Sequence, residues 1–254
     1  MGKPHACGFF RANLMHFFFP NYWFSMNLKH LGKDFFSLFF PPLCLSCSKV
    51  LVRGESYICS GCQLRLPRTG FHMLRENPLS QVFWGRIPVE AATALFYYQK
   101  GGMVQQLVAQ IKYRGQYALG VYLGRLMGRE LLRSPHFTDI GMVVPVPLHP
   151  DRLKKRGFNQ SEAFGLGISQ ILDIPLKSDA LHRVQRTQTQ TRKGRFHRWK
   201  NVSGVFRPSP GFKGQNVLLV DDVLTTGSTL EACAQAILQG KGSRVWIATI
   251  GFTA

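Results

Sequence analysis

The stretch from Val217 to Thr229 constrains this chain more than any other. Four apolar residues, Val217-Leu218-Leu219-Val220, read as a buried strand. Two carboxylates, Asp221 and Asp222, follow at its carboxyl end, and a loop then opens a helix from Ser228 to Gln239. Within that loop Thr225, Thr226, Gly227, Ser228 and Thr229 offer an anion hydroxyls, unpaired backbone N–H groups and the positive end of a helix dipole, and Gly227 permits close approach. The carboxyl end of a parallel strand is also where open α/β sheets hold ligands. The two carboxylates cannot help bind a phosphate. They suit ribose hydroxyls, or a magnesium ion shared with a polyphosphate. A lone Asp-Asp is more often a solvated turn, but here strand, acidic pair and hydroxyl loop stand in order.

The remaining elements extend that start into an α/β architecture with a mostly parallel sheet. Val89–Tyr98 and Arg244–Ile250 have strand composition, and Met142–Pro147 reads as a short buried strand ending in a proline-set turn. Helical periodicity runs over Met103–Tyr113, Tyr117–Arg133 and Ser161–Leu172, the first two separated near Gly115. Pro67–Arg86 reads as an irregular connection. With 45% apolar residues, most of the chain can bury a core. Residues 1–26 read as an uncertain leader, because they lack a clean apolar run and a small-residue cleavage site, and Met15 and Met26 offer alternative starts. Residues 27–42 read as an amphipathic helix stopped by Pro41-Pro42, suited to a membrane surface or to docking on its own domain. No apolar run is long enough to span a bilayer.

Residues 43–70 form a cysteine module. Cys44-x2-Cys47 and Cys59-x2-Cys62 each place two thiolates on one metal, and together they complete a tetrahedral four-sulfur shell for zinc. Such a closed shell is structural, folding a stretch too short to build its own core. Disulfides are the alternative, but clustered C-x-x-C pairs without a secretory signal point to metal in a reducing compartment. Cys233, on the helix after the hydroxyl loop, reads as a small buried side chain, and Cys7 falls in the leader.

Charge narrows the partners. Thirty-two Lys and Arg face thirteen Asp and Glu, a formal +19. Metabolite chemistry does not need such a field; nucleic acid, another polyanion or an anionic membrane surface explains it, and a generally basic proteome is the alternative. Two segments concentrate the charge. In the first, Arg152, Lys154, Lys155 and Arg156 follow the Met142–Pro147 strand and His149, with Asn159 placed to cap the next helix. In the second, His182–Lys200 carries Arg183, Arg186, Arg192, Lys193, Arg195, Arg198 and Lys200 and no acid. His149, Arg152, Lys155, Arg156, Arg192, Lys193 and Arg195 are candidates to contact pyrophosphate or nucleic acid, against the alternative of a solvated charge run.

The thirteen positions 217–229 resemble the type I phosphoribosyltransferases. The resemblance implies binding of phosphoribosyl pyrophosphate (PRPP) or a related ribose 5-phosphate, with magnesium. Asp221 and Asp222 would face the ribose hydroxyls, Thr225 to Thr229 would cradle the 5-phosphate, the loop at Val143–His149 would face pyrophosphate, and a mobile hood would fall in 183–200. The segment Pro145-Val146-Pro147-Leu148-His149-Pro150, followed by Arg156-Gly157-Phe158-Asn159-Gln160-Ser161, is similar to the ComF family, also called GntX-type utilisation proteins. Phe39–Cys44, Lys112-Tyr113, Arg183 and Thr187 stand in the family's order, and the resemblance covers residues 27–254. One departure is the loop 188–195, which is more basic than the family pattern. The resemblance implies a phosphoribosyltransferase-like domain over 71–254 behind the zinc module.

Two functions follow. In the first, a cytoplasmic competence protein, membrane-peripheral if the 27–42 helix lies on the bilayer, assists uptake or handling of single-stranded DNA beside the DNA-uptake machinery. Phe196 and Trp199 among their cations would stack bases. In the second, the chain is an active phosphoribosyltransferase of nucleotide metabolism or salvage, although no residues for recognising a particular base are evident. Fold alone does not decide between them.

Overall fold

The computed structural model describes residues 40–184, 205–210 and 213–253. The leader, nearly all of the 27–42 helix and Arg192, Lys193, Arg195, Phe196 and Trp199 of the basic loop lie outside the described residues. From Pro42 onward the chain forms one compact unit.

Its helices are α1 (Ser60–Arg65), α2 (Pro78–Gln81), α3 (Met103–Tyr113), α4 (Tyr117–Leu131), α5 (Pro150–Arg156), α6 (Gln160–Leu172) and α7 (Ser228–Leu238). Strands β1 (Ala92–Tyr97), β2 (Met142–Pro145), β5 (Asn216–Leu224) and β6 (Arg244–Phe252) form an all-parallel sheet in the order β1-β6-β5-β2. Strands β3 (Leu181–Arg183) and β4 (Phe206–Pro208) pair antiparallel as a separate ribbon that brackets the basic segment in sequence.

The sheet strands are apolar on both sides because both faces are covered. Leu218, Val220, Trp246, Ala248 and Ile250 pack with Leu107, Ile111, Leu123, Met127, Phe164 and Ile168 of helices α3, α4 and α6. Their strand neighbours Val217, Leu219, Val245 and Ile247 point the other way, onto Leu79, Phe83, Leu230, Cys233 and Ile237. The alternation follows from the two-residue side-chain period of a strand. The cysteine module joins the first of these layers: Cys44, Ile58, Cys62 and Leu66 share one core with Leu107 and Leu123. Gln63 Nε2 donates to Tyr122 Oη of α4 at 2.7 Å.

Helices α4 and α6 touch backbone to backbone. A Cβ on Gly124 would lie 2.0 Å from the Phe164 carbonyl oxygen, and one on Gly167 would lie 2.1 Å from that of Val121. No side chain fits at either position, so these glycines set the distance at which α6 crosses α4.

Three local expectations are corrected. Pro67–Arg86 contains a 3-10 turn at Phe71–Met73 and helix α2. Asn77 builds the second: its side chain accepts from the N–H groups of Leu79 and Ser80, while Ser80 Oγ accepts from the Asn77 N–H at 2.9 Å. This is a capping box with proline in the first turn. The Pro145–Pro150 turn leads directly into α5, with His149 as its cap and Gly157, at φ 81°, as its stop. Finally, β5 does not end at Val220 but runs on through Asp221 and Asp222 to Leu224, because β6 continues to pair with it up to Leu224↔Phe252.

Candidate functional site

The acidic pair owes its environment to a difference in strand length. Strand β2 stops at Pro145, opposite Val220, whereas β6 stays paired with β5 beyond it. Asp221 and Asp222 therefore keep a neighbour strand on one side and open polar space on the other. Ser161, in the first turn of α6, donates from Oγ to Asp221 Oδ1 at 2.8 Å, and the Asp222 N–H donates to the same oxygen at 2.8 Å. The Lys112 ammonium, at the end of α3, lies 2.9 Å from Asp222 Oδ2. Part of Asp221 still meets solvent, but enough protein surrounds its carboxyl that burial pushes the pKa up. The Asp222 charge adds to this, and the group reaches about 7 despite the bonds from Ser161 and the Asp222 N–H and the Lys112 charge. Asp221 thus titrates near neutrality rather than in the usual carboxylate range.

Beyond the pair, Thr225, Thr226, Ser228 and Thr229 are exposed at the start of α7. Gly227 is its N-cap at φ 77°, and no side chain caps the helix. A Cβ on Gly227 would lie 2.8 Å from Val82 Cγ1 and 3.3 Å from Phe83 Cε1. The left-handed backbone and the close wall behind it both require glycine, which leaves the helix N-terminus bare. Thr226 Oγ1 and Ser228 Oγ lie 3.2 Å apart, two hydroxyls converging at the helix mouth.

Next to the pair opens a cleft of about 490 Å³ lined by Lys112, Tyr113, Gly115, Arg152, Lys155 and Arg156. Four of these carry positive charge and none is acidic. Arg156 is held in place: it donates from Nη1 to Gln160 Oε1 at 2.6 Å and lies 5.8 Å from the Tyr113 ring centroid. Gln160 is itself buried and bonded to the Phe158 carbonyl. Lys112 belongs to both regions, lining the cleft while pairing with Asp222, so the acidic pair and the cationic cleft are joined through one ammonium.

The thiols of Cys44, Cys47, Cys59 and Cys62 all lie within 4.8 Å of one another, with Cys47 and Cys59 at 3.7 Å. A tetrahedral ion with bonds of about 2.3 Å needs sulfurs about 3.8 Å apart, so the cluster fits a metal ion. Burial opposes ionisation of Cys44, but N–H groups of Cys59, Cys47 and Ser46 and the Cys47 thiol outweigh it and bring the thiol down to about 6. The Cys62 N–H favours a Cys59 thiolate, yet burial and the crowding thiols of Cys62, Cys47 and Cys44 push it up to about 12. A cation is what lets all four sulfurs ionise together. Cys233 is fully buried and protonated: burial, then the nearby Asp221 charge, hold its pKa well above the ordinary thiol value.

The structure therefore brings Asp221, Asp222 and the 225–229 loop to one end of the sheet, and gathers Arg152, Lys155 and Arg156 into one cleft. His149 is not among the cleft's lining residues. Its Nδ1 accepts from the Asp151 N–H at 3.3 Å and caps α5. Asn159 caps α6, accepting from the Ser161 N–H at 3.1 Å. Sequence reasoning missed Lys112, Tyr113 and Ser161 as site residues. The available signal was their place in the segments that carry the family resemblance, Lys112-Tyr113 closing a helix before Gly115 and Ser161 beside the Asn159 cap.

Known proteins are similar to most of this chain. Residues 159–251 match the family model of the phosphoribosyl transferase domain. The DNA utilization protein YhgH of Escherichia coli is 30% identical over 227 residues, covering 82% of this chain and 95% of its own. Competence protein F of Haemophilus influenzae is 27% identical, covering 78% and 92%. Competence protein ComFC of Bacillus subtilis is 25% identical, covering 80% and 81%.

The raised pKa of Asp221 makes stability pH-dependent with a defined sign. Between 3.8, the ordinary value, and about 7 the folded chain keeps a proton that the unfolded chain has lost. The contribution of protonated Asp221 is complete below that window, falls as pH rises through it and is gone above it. In metal-free buffer the urea midpoint of Asp221→Asn minus that of the wild type should rise across the window and then level off. A difference independent of pH contradicts the assignment.

Proposed function

Because the chain belongs to the ComF family of competence and DNA-utilization proteins, we propose that it binds a PRPP-type sugar phosphate and single-stranded DNA on one face, in the handling or uptake of DNA during natural transformation. The observation that supports this reading is Lys112, whose ammonium pairs with Asp222 and which also lines the cationic cleft. In it, Asp221 and Asp222 take the ribose hydroxyls, directly or through Mg²⁺, and Thr225, Thr226, Gly227, Ser228 and Thr229 take the 5-phosphate at the start of α7. Arg152, Lys155 and Arg156 hold pyrophosphate or DNA phosphates, joined by His149 from the α5 cap and by Arg192, Lys193 and Arg195 from the basic loop. The +19 charge supports binding governed by phosphate contacts.

Zinc is the metal assigned to Cys44, Cys47, Cys59 and Cys62, since four soft thiolates in a closed shell suit a structural ion. The protein works in the cytoplasm, where such thiols stay reduced, beside the DNA-uptake machinery at the inner face of the membrane. Among the described residues no helix is long and apolar enough to cross a membrane.

Two experiments test this account. In the first, purified protein is titrated with PRPP plus Mg²⁺ and with single-stranded DNA, separately and then together; each ligand should displace the other. Independent binding of both, or binding of neither, overturns the shared face, and consumption of PRPP with release of pyrophosphate makes the protein a transferase. The second measures metal and melting. One zinc should co-purify per chain, and Cys59→Ser should lose it. Because Cys44 and Cys62 share a core with α3 and α4, that change should lower the melting midpoint of the whole unit, by about 2–4 °C per kcal/mol lost. Native protein free of zinc with its four thiols in disulfides refutes the zinc assignment.

A further inference from the structure

Tyr113 has no evident role in the fold. It ends α3 as a residue 71% exposed, on the wall of a cleft whose other side chains are cations. A cleft for phosphate alone needs no aromatic side chain, and leaving a large apolar ring in water forgoes the stabilisation of burying it. The ring is nevertheless oriented. The Arg156 guanidinium lies over it at 5.8 Å from the centroid, itself anchored by the buried Gln160 amide at 2.6 Å. Arg156 covers one face, and with the residue 71% exposed the opposite face is the one available to a ligand in the cleft that Lys112, Arg152 and Lys155 also line.

We propose that Tyr113 is a nucleobase platform: one base of a single-stranded DNA stacks on its open face while the adjoining phosphates lie on Arg152, Lys155 and Arg156. This rests on the DNA-binding reading above and adds to it a subsite for the base. Cations tracking the backbone and an aromatic ring accepting any base are the two elements of sequence-tolerant single-strand binding. A guanidinium held against the back of the ring adds a cation–π contact. Only the base contact depends on the ring, so backbone binding and base stacking separate experimentally.

The test uses fluorescence anisotropy with two strands of equal length and charge, an oligothymidylate and an abasic deoxyribose-phosphate strand. Wild type should prefer the base-bearing strand. Tyr113→Ala should weaken that strand's binding about tenfold, leave the abasic strand unchanged and keep the wild-type melting midpoint; Tyr113→Phe should behave as wild type. Equal losses on both strands, or no loss on either, overturn the platform while the DNA-binding reading stands. If wild type binds neither strand, the DNA-binding reading itself fails and the platform with it. Thymidine monophosphate should displace the oligothymidylate poorly; displacement at equal base concentration would assign the ring to a free nucleotide and overturn the proposal.

Discussion

The site depends on one mismatch of length within the sheet. Strand β5 runs past the end of β2 but not past the end of β6, so two consecutive carboxylates are held rigidly on one side and released from the ladder on the other. Charges brought this far from water are expensive unless they are paired or protonated. The chain uses both remedies: Lys112 pairs with Asp222, and Asp221, bonded by Ser161, has a pKa raised to about 7. Each partner comes from a different helix, so the chemistry of the pair reports on the packing of the whole layer beneath it.

That layer is set by glycine. Gly124 and Gly167 let the backbones of α4 and α6 meet with no side chain between them, and α6 then delivers Ser161 from its first turn to Asp221. Helix α3 lies in the same layer and delivers Lys112. The cysteine cluster packs on this layer too, through Cys44, Ile58, Cys62 and the Gln63–Tyr122 bond. A metal bound there would support the helices that supply the partners of the acidic pair.

The elements with strong local signals were readable in advance. The apolar run of β5, the hydroxyl loop, the periodicity of α3, α4 and α6 and the paired C-x-x-C steps each carry their own physical cause within a few residues. Part of what could not be read was set by partners distant in the chain, and part by local helix starts that were passed over. An Asp-Asp after an apolar run looks like a strand end, and only the pairing of β6 with Val223 and Leu224 shows that the strand continues. Lys112 is legible as one of the residues in the family's order, but its role as the partner of Asp222 is not until the fold brings the two together. His149 reads as the end of a strand-end loop, and the structure makes it the cap of the short helix α5, for which Pro150 at the first position is the local signal. The Asn77-Pro78-Leu79-Ser80 capping box was likewise present in a stretch read as irregular.

The central claim is that Lys112 makes the acidic pair and the cationic cleft one site, and a double-mutant cycle tests it directly. Calorimetric titration with inorganic pyrophosphate in metal-free buffer compares the wild type, Lys112→Met, Asp222→Asn and the double variant. The account predicts that Asp222→Asn tightens pyrophosphate binding by freeing the ammonium, and that most of this gain is lost when Lys112 is absent, a coupling above about 0.5 kcal/mol. Additive effects of the two substitutions, or binding indifferent to Lys112, would contradict it.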